Sequence, residues 1–208
     1  VFDVNGTLID IHTNEWHDDV YRVISNVLSY QGIKLSPSVV KDLFFRIIKE
    51  QKLASGERQA EFDVVELFRQ IVAQHESEVT RAMAPQKRAQ LPEFLAEVHR
   101  AASLVRLQLY PGVLSTLQQL HTRYALAIVS DAQTAYAVPE LNTVGLAAFF
   151  DPIVVSGDFG YRKPDVRLFE LALSGMGLAA SEIVFVGNDL YRDVHGPQKL
   201  GMKTVLFQ

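Results

Sequence analysis

The sequence predicts an α/β protein in which a doubly wound, parallel-sheet core carries an inserted block made of helices alone. From Leu107 onward, short apolar stretches alternate with amphipathic ones, which is typical of parallel strands connected by helices. Between residues 13 and 103, only helical periodicity is found. No other strand is expected before Leu107, so the apolar residues 1–4 must pair with the later strands. The helical block is therefore predicted to be an insertion after the first strand.

Amphipathic helices with polar connections are predicted throughout the inserted block. Ser36 followed by Pro37 indicates one helix start, because serine caps a first turn and proline is tolerated at the first helical position. The apolar faces of the helices can be buried against one another as a bundle. They consist of Trp16, Val20, Val23, Ile24, Val27 and Leu28; Val39, Val40, Leu43, Phe44, Ile47 and Ile48; Phe62, Val65, Phe68, Ile71 and Val72; and Leu91, Phe94, Leu95, Val98 and Ala102.

The rest of the chain is predicted to alternate between helices and strands. This alternation favours a parallel sheet with helices on both faces. We expect residues 1–12 and 104–208 to form the α/β core and residues 13–103 to form the helical block. The core elements after the block are helix 112–122, strand 124–130, helix 134–144, strand 152–156, helix 165–176, strand 182–187, helix 192–200 and strand 203–207.

The composition is that of an ordinary globular protein and excludes several classes. Its 208 residues include 48% hydrophobic and 21% charged residues, with 20 basic and 24 acidic side chains and a net charge of −4. No basic stretch indicates a nucleic-acid partner. No apolar run reaches the roughly 18 residues of a membrane span, and no signal peptide is found. The absence of cysteine excludes disulfides and thiolate metal sites and is compatible with a cytoplasmic location, which we expect.

Two further expectations concern the chain as a whole. It lacks an initiator Met and begins inside its first predicted strand, so we expect it to be a piece of a longer chain or a trimmed one. Nothing in the sequence indicates an oligomeric state.

Asp3 is the most informative residue, because it lies between an apolar run and a Gly6-Thr7 turn. In open parallel sheets, catalytic groups collect at the ends of strands. A carboxylate there can attack phosphorus to form an aspartyl-phosphate, and the backbone N–H groups of the turn can face an anion. The alternative for these residues alone is an ordinary surface turn.

Later segments strengthen the catalytic interpretation. Ser130-Asp131 ends an apolar strand, Lys163 stands just before the proline that begins a helix, and acidic residues follow the strand 182–187. A carboxylate, a hydroxyl, an ammonium and two more carboxylates at such positions suit metal-assisted phosphoryl transfer. The segments are Ala125–Asp131, Gly157–Asp165 and Ile183–Asp193.

In order and context, these segments and the Asp3 turn resemble the four motifs of the haloacid dehalogenase (HAD) superfamily, over nearly the whole chain. The resemblance implies a Rossmann-like core with a helical cap, residues 13–103, between the first and second motifs. It implies that Asp3 is the nucleophile and that Lys163 binds the phosphoryl group and Asp3. Ser130, the backbone N–H of Asp131 and Thr7 would complete the phosphate site.

The resemblance also implies a bound Mg²⁺, held by Asp3, the backbone carbonyl of Asn5 and acids of the fourth motif. Family members commonly place an acid directly after the glycine, where this chain has Asn188, with Asp189 next. A carboxylate is the stronger magnesium ligand, so we expect Asp189 rather than Asn188 to bind the metal. Asp193 would bind it directly or through water; the alternative for Asp193 is a carboxylate that stabilises a helix N-terminus.

Asn5 departs from the family pattern, in which phosphatases usually have a second Asp that acts as general acid and base. An amide can do neither, and losing such a group costs about 10²–10⁴ in rate. The chain could be a naturally weak or inactive relative, an engineered Asp-to-Asn variant, or an enzyme for another reaction. Hydrolytic 2-haloacid dehalogenases carry a non-acid there and need no metal, but this chain keeps Asp189 and Asp193, and has Ser130-Asp131-Ala132 where those enzymes have Ser-Asn-Gly.

The sequence therefore predicts a magnesium-dependent, HAD-like phosphatase, a hydrolase of phosphoric monoesters, acting on a small phosphorylated metabolite. A cap over the site would shield the substrate from water and restrict entry. The alternatives are a HAD-fold binding module that has lost turnover through Asn5 and a metal-independent dehalogenase.

Overall fold

The computed structural model describes residues 1–207 and divides into two compact units. The α/β unit comprises Val1–Ile11, Glu57–Glu61 and the chain from Arg106 onward, and the helical unit comprises His12–Gly56 and Phe62–Val105. Residues 57–61, which the sequence pattern places in the helical block, thus group with the α/β unit. Within the described range, no helix combines the length and apolar composition needed to cross a membrane.

The helical unit is built from amphipathic helices whose first turns are mostly capped by side chains. The cap expected at Ser36 is confirmed, because Ser36 Oγ accepts the N–H of Val39 at 3.4 Å and Pro37 is the first residue of its helix. The short fourth helix was not predicted, since four residues are too few to show a period. The helices are α1 (Asp18–Tyr30), α2 (Pro37–Ala54), α3 (Val64–His75), α4 (Glu78–Arg81) and α5 (Pro85–Ser103).

The core of the helical unit is apolar and aromatic, and most of the expected face residues are buried in it. Trp16 is an exception, because it precedes α1, is 68% exposed and stacks on Phe45 with ring centroids 4.1 Å apart. Val39, Phe94 and Ala102 are also exposed. The buried members include Val20, Ile24, Leu28, Val40, Leu43, Phe44, Ile47, Phe68, Ile71, Val72, Leu91 and Leu95.

His99 of α5 lies fully buried within this aromatic core. Its ring stacks on Phe44 with centroids 4.3 Å apart, and the rings of Tyr21 and Phe68 lie 6.0 Å away. Burial, helped by the charge of Arg100, lowers the pKa of His99 from 6.5 to about 3. His99 is therefore a neutral packing residue at ordinary pH.

One pair of strands contradicts the sequence prediction that no strand other than the first precedes Leu107. Strand β1 (Ile9–Thr13) pairs with β2 (Leu104–Leu109). Asp10 accepts hydrogen bonds from Arg106 at 2.7 Å and from Gln108 at 3.0 Å. Most side chains of β2 are exposed, so the pair has little of the apolar contrast on which a sequence pattern depends.

Parallel strands form the sheet of the α/β unit. Strand β3 (Ile128–Ser130) pairs with β4 (Ile153–Val155), and β5 (Val184–Gly187) pairs with β6 (Lys203–Leu206). Phe2 forms parallel bridges to residues of both β3 and β5, so the expectation that the N-terminal residues pair with the later strands is confirmed. The four strands are shorter than predicted.

Side chains of this sheet alternate between two hydrophobic clusters. Ala127 and Val129 pack with helix α8 (Val166–Met176), whereas Leu126 and Ile128 pack with helices α6 (Val113–His121) and α7 (Thr134–Thr143). The alternation follows from the two-residue period of a strand.

The prediction of one continuous helix over residues 192–200 is wrong. The chain instead forms a π-helical segment, Leu190–His195, followed by one short α-helical stretch, α9 (Gly196–Gln198). Pro197 lies inside the predicted helix, where it cannot donate a backbone hydrogen bond. The π-helical segment begins directly after Asp189, within the fourth motif, and contains Asp193.

Candidate active site

A tight turn fixes Asp3 beside the end of β5. The N–H of Asp3 donates to the carbonyl of Val186 at 2.9 Å, which pairs Asp3 with the sheet. The N–H groups of Leu8 and Ile9 both donate to the carbonyl of Val4, at 2.8 and 3.0 Å. Gly6 has a φ of 83°, a value that side chains disfavour, so the turn needs glycine there. Asp3 is buried.

The side chain of Thr7, which follows Gly6 in this turn, contacts Asp3. Its Oγ1 donates to Asp3 Oδ2 at 3.0 Å, and both residues are buried. Thr7 therefore orients the carboxylate that was expected to be the nucleophile. This contact differs from the direct phosphate contact that the sequence pattern implies for Thr7.

Lys163 is the electrostatic centre of the site. Its side chain is 2% exposed, and Nζ donates to Asp3 Oδ1 and to Asp193 Oδ1, each at 2.7 Å. Burial disfavours the charged ammonium, but the carboxylates of Asp3, Asp193 and Asp131 outweigh it and raise the pKa of Lys163 above its ordinary value. Lys163 is therefore a charged ammonium at ordinary pH within a buried acidic cluster.

Asp193 folds back onto the end of β5. Its Oδ2 accepts the N–H groups of Asn188 and Asp189 at 3.1 and 3.0 Å, while Oδ1 faces Lys163. A side chain at Gly187 would collide with the Asp193 side chain, so glycine is required for this approach. Asp193 thus stabilises a run of backbone N–H groups and also lies within the buried cluster.

Asp189 and Asn188 have different roles in the structure. Asp189 Oδ1 accepts the N–H groups of Tyr191 and Arg192 at 2.9 and 2.8 Å, and its Oδ2 accepts Arg192 Nη2 at 2.7 Å. The hydrogen bond from the Arg192 side chain lowers the pKa of Asp189. Asn188, rather than Asp189, lines the cavity of the site. The geometry therefore gives no support to a preference for Asp189 as a metal ligand.

A polar cavity of about 170 Å³ connects most of the expected site residues. Within the described residues, Asn5 Oδ1 is buried and has no hydrogen-bond partner. Arg192 also lines the cavity, and its Nη1 lies 3.6 Å from Asp131 Oδ2. Sequence reasoning missed Arg192, although it directly precedes Asp193. The lining residues are Asp3, Asn5, Asp131, Lys163, Asn188, Arg192 and Asp193.

Ser130 is the last residue of β3, and Asp131 follows it. Ser130 is buried, and among residues 1–207 its Oγ has no hydrogen-bond partner. Asp131 Oδ1 accepts the backbone N–H of Lys163 at 2.8 Å. The carboxylate of Asp131 thus links the second motif to the third, a role for its side chain that the sequence pattern did not indicate.

The donor atoms of this cavity suit a hard divalent cation. No group of three or more His, Asp or Glu side chains in the described chain is arranged to hold a metal. Asp3 and Asp193 are instead joined by Lys163, and the further donors are amide oxygens, including the unpartnered Asn5 Oδ1. Carboxylate and amide or carbonyl oxygens are ligands that magnesium accepts while it retains waters. The residues present therefore fit Mg²⁺ with few protein ligands.

Comparison with known proteins decides the family. Residues 1–207 match the family described as haloacid dehalogenase-like hydrolase. The chain belongs to the haloacid dehalogenase-like hydrolases. The resemblance inferred from the four motifs is thereby confirmed.

The relatives of this HAD-like chain include named phosphatases. It is 26% identical over 206 residues to the glyceraldehyde 3-phosphate phosphatase of Methanothermobacter thermautotrophicus, covering 99% of this chain and 83% of that protein. It is 27% identical over 205 residues to the phosphoglycolate phosphatase of Yersinia pseudotuberculosis, covering 98% and 78%.

Among solved structures, this HAD-like chain is similar to the 2-haloacid dehalogenase of Pseudomonas syringae pv. Tomato DC3000. The TM-score is 0.65 at 21% identity, and the match covers 99% of this chain and 84% of the other. At this identity the likeness supports a shared fold, an α/β arrangement of helices and parallel strands.

Proposed function

We propose that this HAD-like hydrolase is a phosphatase that acts on a small phosphorylated metabolite through an aspartyl-phosphate. The observation that carries the proposal is the position of Lys163, whose Nζ lies 2.7 Å from both Asp3 and Asp193 at a polar cavity. A buried cation beside a carboxylate nucleophile can offset the negative charge that an arriving phosphoryl group adds. The named phosphatase relatives support the same reaction class.

The proposed architecture is a doubly wound, Rossmann-like core with a helical cap. Support comes from the parallel pairing of β3 with β4 and of β5 with β6, and from the two clusters between which strand residues alternate. Residues 13–103 would supply the cap, apart from Glu57–Glu61, which groups with the α/β unit.

The proposed chemistry begins with attack of an Asp3 carboxylate oxygen on phosphorus. The P–O bond to the leaving group breaks, and the released alkoxide takes its proton from water, because Asn5 cannot supply one. Thr7 Oγ1 holds the other carboxylate oxygen and so orients the attacking one. Lys163 would contact the phosphoryl oxygens, joined by Ser130 Oγ and the backbone N–H of Asp131. The Ser130 hydroxyl suits this role because it is buried and lacks a partner in the described chain, and an unpaired buried donor gains from a ligand oxygen.

Mg²⁺ is the proposed cofactor, and when bound it would neutralise charge between the substrate and the acidic cluster. Asp3, the backbone carbonyl of Asn5 and Asp193 are the proposed protein ligands. We place Asn188 ahead of Asp189 as a further ligand, because Asn188 lines the cavity while the Asp189 carboxylate is bound by Arg192 and two backbone N–H groups.

Asn5 is the reason to expect low turnover. Its amide cannot protonate a leaving group or activate water, so hydrolysis of the aspartyl-phosphate would be the slow step. The same residue supports a second candidate, a binding module that retains affinity for phosphate or metal without turnover. A 2-haloacid dehalogenase is less well supported, since Asp193 and Lys163 form a charged cluster that suits a phosphoryl group.

A panel of phosphate esters tests the proposal. It includes p-nitrophenyl phosphate, glyceraldehyde 3-phosphate and phosphoglycolate, each assayed with Mg²⁺ and with chelator, beside halide release from a 2-haloacid. We expect Mg²⁺-dependent release of phosphate. Metal-independent halide release would overturn the proposal, and tight phosphate binding without any turnover would favour the binding module.

Metal titration by calorimetry separates the two candidate ligands of the fourth motif. Asn188→Ala is expected to weaken Mg²⁺ binding more than Asp189→Ala, because only Asn188 lines the cavity. The reverse order would restore Asp189 as the ligand.

A further inference from the structure

The segment Glu57–Glu61 contains a buried acid that lies outside the four motifs. Glu61 is 5% exposed, although its segment interrupts the helical part of the sequence and groups with the α/β unit. Acidic side chains are almost never fully buried unless they are paired. The buried carboxylate of Glu61 is therefore expected to interact with specific partners.

Backbone pairing attaches this segment directly beside Lys163. The N–H of Glu61 donates to the carbonyl of Gly160 at 2.9 Å, and the N–H of Arg162 donates to the carbonyl of Gln59 at 2.8 Å. Ala60 and Tyr161 form an antiparallel bridge. The segment thus pairs in an extended conformation with residues 160–162, which directly precede Lys163.

The Glu61 carboxylate reaches the second motif through Ser156. Ser156 Oγ donates to Glu61 Oε2 at 2.9 Å and accepts the N–H of Ala132 at 3.0 Å. Ser156 is fully buried, and the N–H of Gly157 donates to the carbonyl of Ala132 at 2.9 Å. The loop directly after Ser130-Asp131 is therefore held by a serine whose hydroxyl hydrogen is directed by Glu61.

Arg162 forms a second connection from Glu61 to the site. Its Nε lies 3.4 Å from Glu61 Oε2 and 3.7 Å from Asp131 Oδ2, so the guanidinium lies between two buried carboxylates. Asp131 in turn accepts the N–H of Lys163. One carboxylate thus controls both the loop after β3 and the backbone that carries Lys163.

We propose that Glu61 is a positioning residue that fixes the backbone at Ala132 and Lys163, and through them Asp131 and the Lys163 ammonium. It touches no reacting atom in this role. Its effect on turnover rests on the proposed phosphatase function, whereas its effect on the backbone does not. Glu61 is separated from the motifs in sequence, and only the fold brings it to them.

Glu61→Ala tests this role, and Glu57→Ala is the matched control. Glu57 belongs to the same segment, but it pairs with the partly exposed Arg167 at 3.1 and 2.7 Å. We expect Glu61→Ala to lower kcat and kcat/KM together by roughly 10- to 100-fold, as a small misplacement of catalytic groups does, with KM unchanged. Glu57→Ala should leave both constants unchanged. Glu61→Gln should recover part of the loss, because an amide oxygen still accepts the Ser156 hydroxyl.

Amide hydrogen exchange tests the positioning role without any activity. The N–H groups of Ala132 and Lys163 should exchange faster in Glu61→Ala than in wild type and Glu57→Ala. Unchanged exchange at both amides overturns the proposal, whether or not the wild type hydrolyses a phosphate ester. Faster exchange with an unchanged kcat limits Glu61 to a structural role and also overturns it. A wild type without phosphatase activity but with the expected exchange pattern would contradict only the proposed function.

Discussion

The two units of this chain each bury a basic side chain, and they hold it in opposite protonation states. In the α/β unit, Lys163 is 2% exposed and lies 2.7 Å from two carboxylates, and its pKa is raised. In the helical unit, His99 is equally buried but stacks on Phe44, and its pKa is lowered to about 3. Burial disfavours charge in both places, so the neighbours decide the outcome.

The different neighbours distinguish a candidate site from a hydrophobic core. The rings around His99 carry no charge, and burial keeps its imidazole neutral, so it contributes packing. The carboxylates around Lys163 instead keep its ammonium charged although it is buried, where a charge acts more strongly on a ligand than it does in water. Strongly perturbed ionisable groups in a cavity are candidates for function, and Lys163 of the α/β unit is such a group at a polar cavity.

The largest expected effect follows from removing Asp3, the proposed nucleophile. Asp3→Asn should abolish Mg²⁺-dependent hydrolysis of p-nitrophenyl phosphate, because an amide cannot form the aspartyl-phosphate. The protein should stay folded, since Lys163 keeps its contact with Asp193, and circular dichroism checks this. Full activity in this variant would show that the charged cluster is structural, like the environment of His99.

Removing the cation tests the stability of the cluster. Lys163→Met leaves buried carboxylates without a counter-charge, which should lower the free energy of unfolding by roughly 3–5 kcal/mol near pH 7. In wild type, the pKa of Lys163 is raised above its ordinary value of 10.5. Its stabilising ion pairs are therefore fully present at any pH below 10.5. They are lost only as pH rises through the raised pKa.

The free energy of unfolding of Lys163→Met should change with pH in a definite direction. Burial raises the pKa of Asp193, and Lys163 is what opposes that shift. Without Lys163 the folded state binds a proton more readily than the unfolded state, so stability should fall as pH rises. Urea unfolding at pH 5 and pH 8 measures this, and an equal loss of stability at both pH values would contradict it.

For the helical unit, we predict the opposite pH dependence of the free energy of unfolding, and His99 is its cause. Its lowered pKa means that only the unfolded state takes up a proton as pH falls below 6.5. The free energy of unfolding should therefore fall by at most about 1.4 kcal/mol per pH unit, or about 2 kcal/mol by pH 5. His99→Phe should remove this dependence while retaining the aromatic packing. His121→Phe is the control, because it makes the same change at an exposed position of the α/β unit.

The smallest expected effect concerns Asn5. The protein should release one equivalent of nitrophenol from p-nitrophenyl phosphate in a burst and then turn over slowly. Asn5→Asp should raise the steady-state rate by roughly 10-fold or more, a modest part of the usual acid–base contribution. Alkyl phosphates should gain more, because their leaving groups need a proton.

Asn188→Asp is the matched control for Asn5→Asp, since it makes the same change at another residue of the cavity. We expect this control to retain the burst. If Asn5→Asp left every rate unchanged, the binding module would replace the phosphatase as the proposed function.

Much of the α/β unit could be predicted because its chemistry lies in short sequence segments. Asp3, Lys163 and Asp193 each stand at the end of a strand or the start of a helix, so the parallel topology alone brings them to one edge of the sheet. The apolar period of α1, α2, α3 and α5 likewise predicted most of the helical core.

Features that depend on contacts between distant segments could not be predicted in this way. The exposed strands β1 and β2 lack an apolar pattern, and Trp16 has the right spacing but precedes its helix. Glu61 resembles any surface glutamate until the fold places it against Ser156. The preference for Asn188 over Asp189 as a metal ligand likewise depends on a contact that the sequence does not show. The Arg192 side chain donates a hydrogen bond to the Asp189 carboxylate.

The position of the N-terminal residues also bears on when the site can exist during synthesis. Phe2 bridges both Ile128 and Val186, and the N–H of Asp3 bonds to the carbonyl of Val186. Contacts between residues so far apart in sequence form slowly. Because synthesis proceeds from the N-terminal side, Phe2 and Asp3 must therefore wait until β5 has been made before they can pair with it. A nascent chain that stops before β5 lacks Asp193 and cannot assemble the buried cluster around Lys163, so the proposed activity should arise only after β5 and Asp193 have been synthesised.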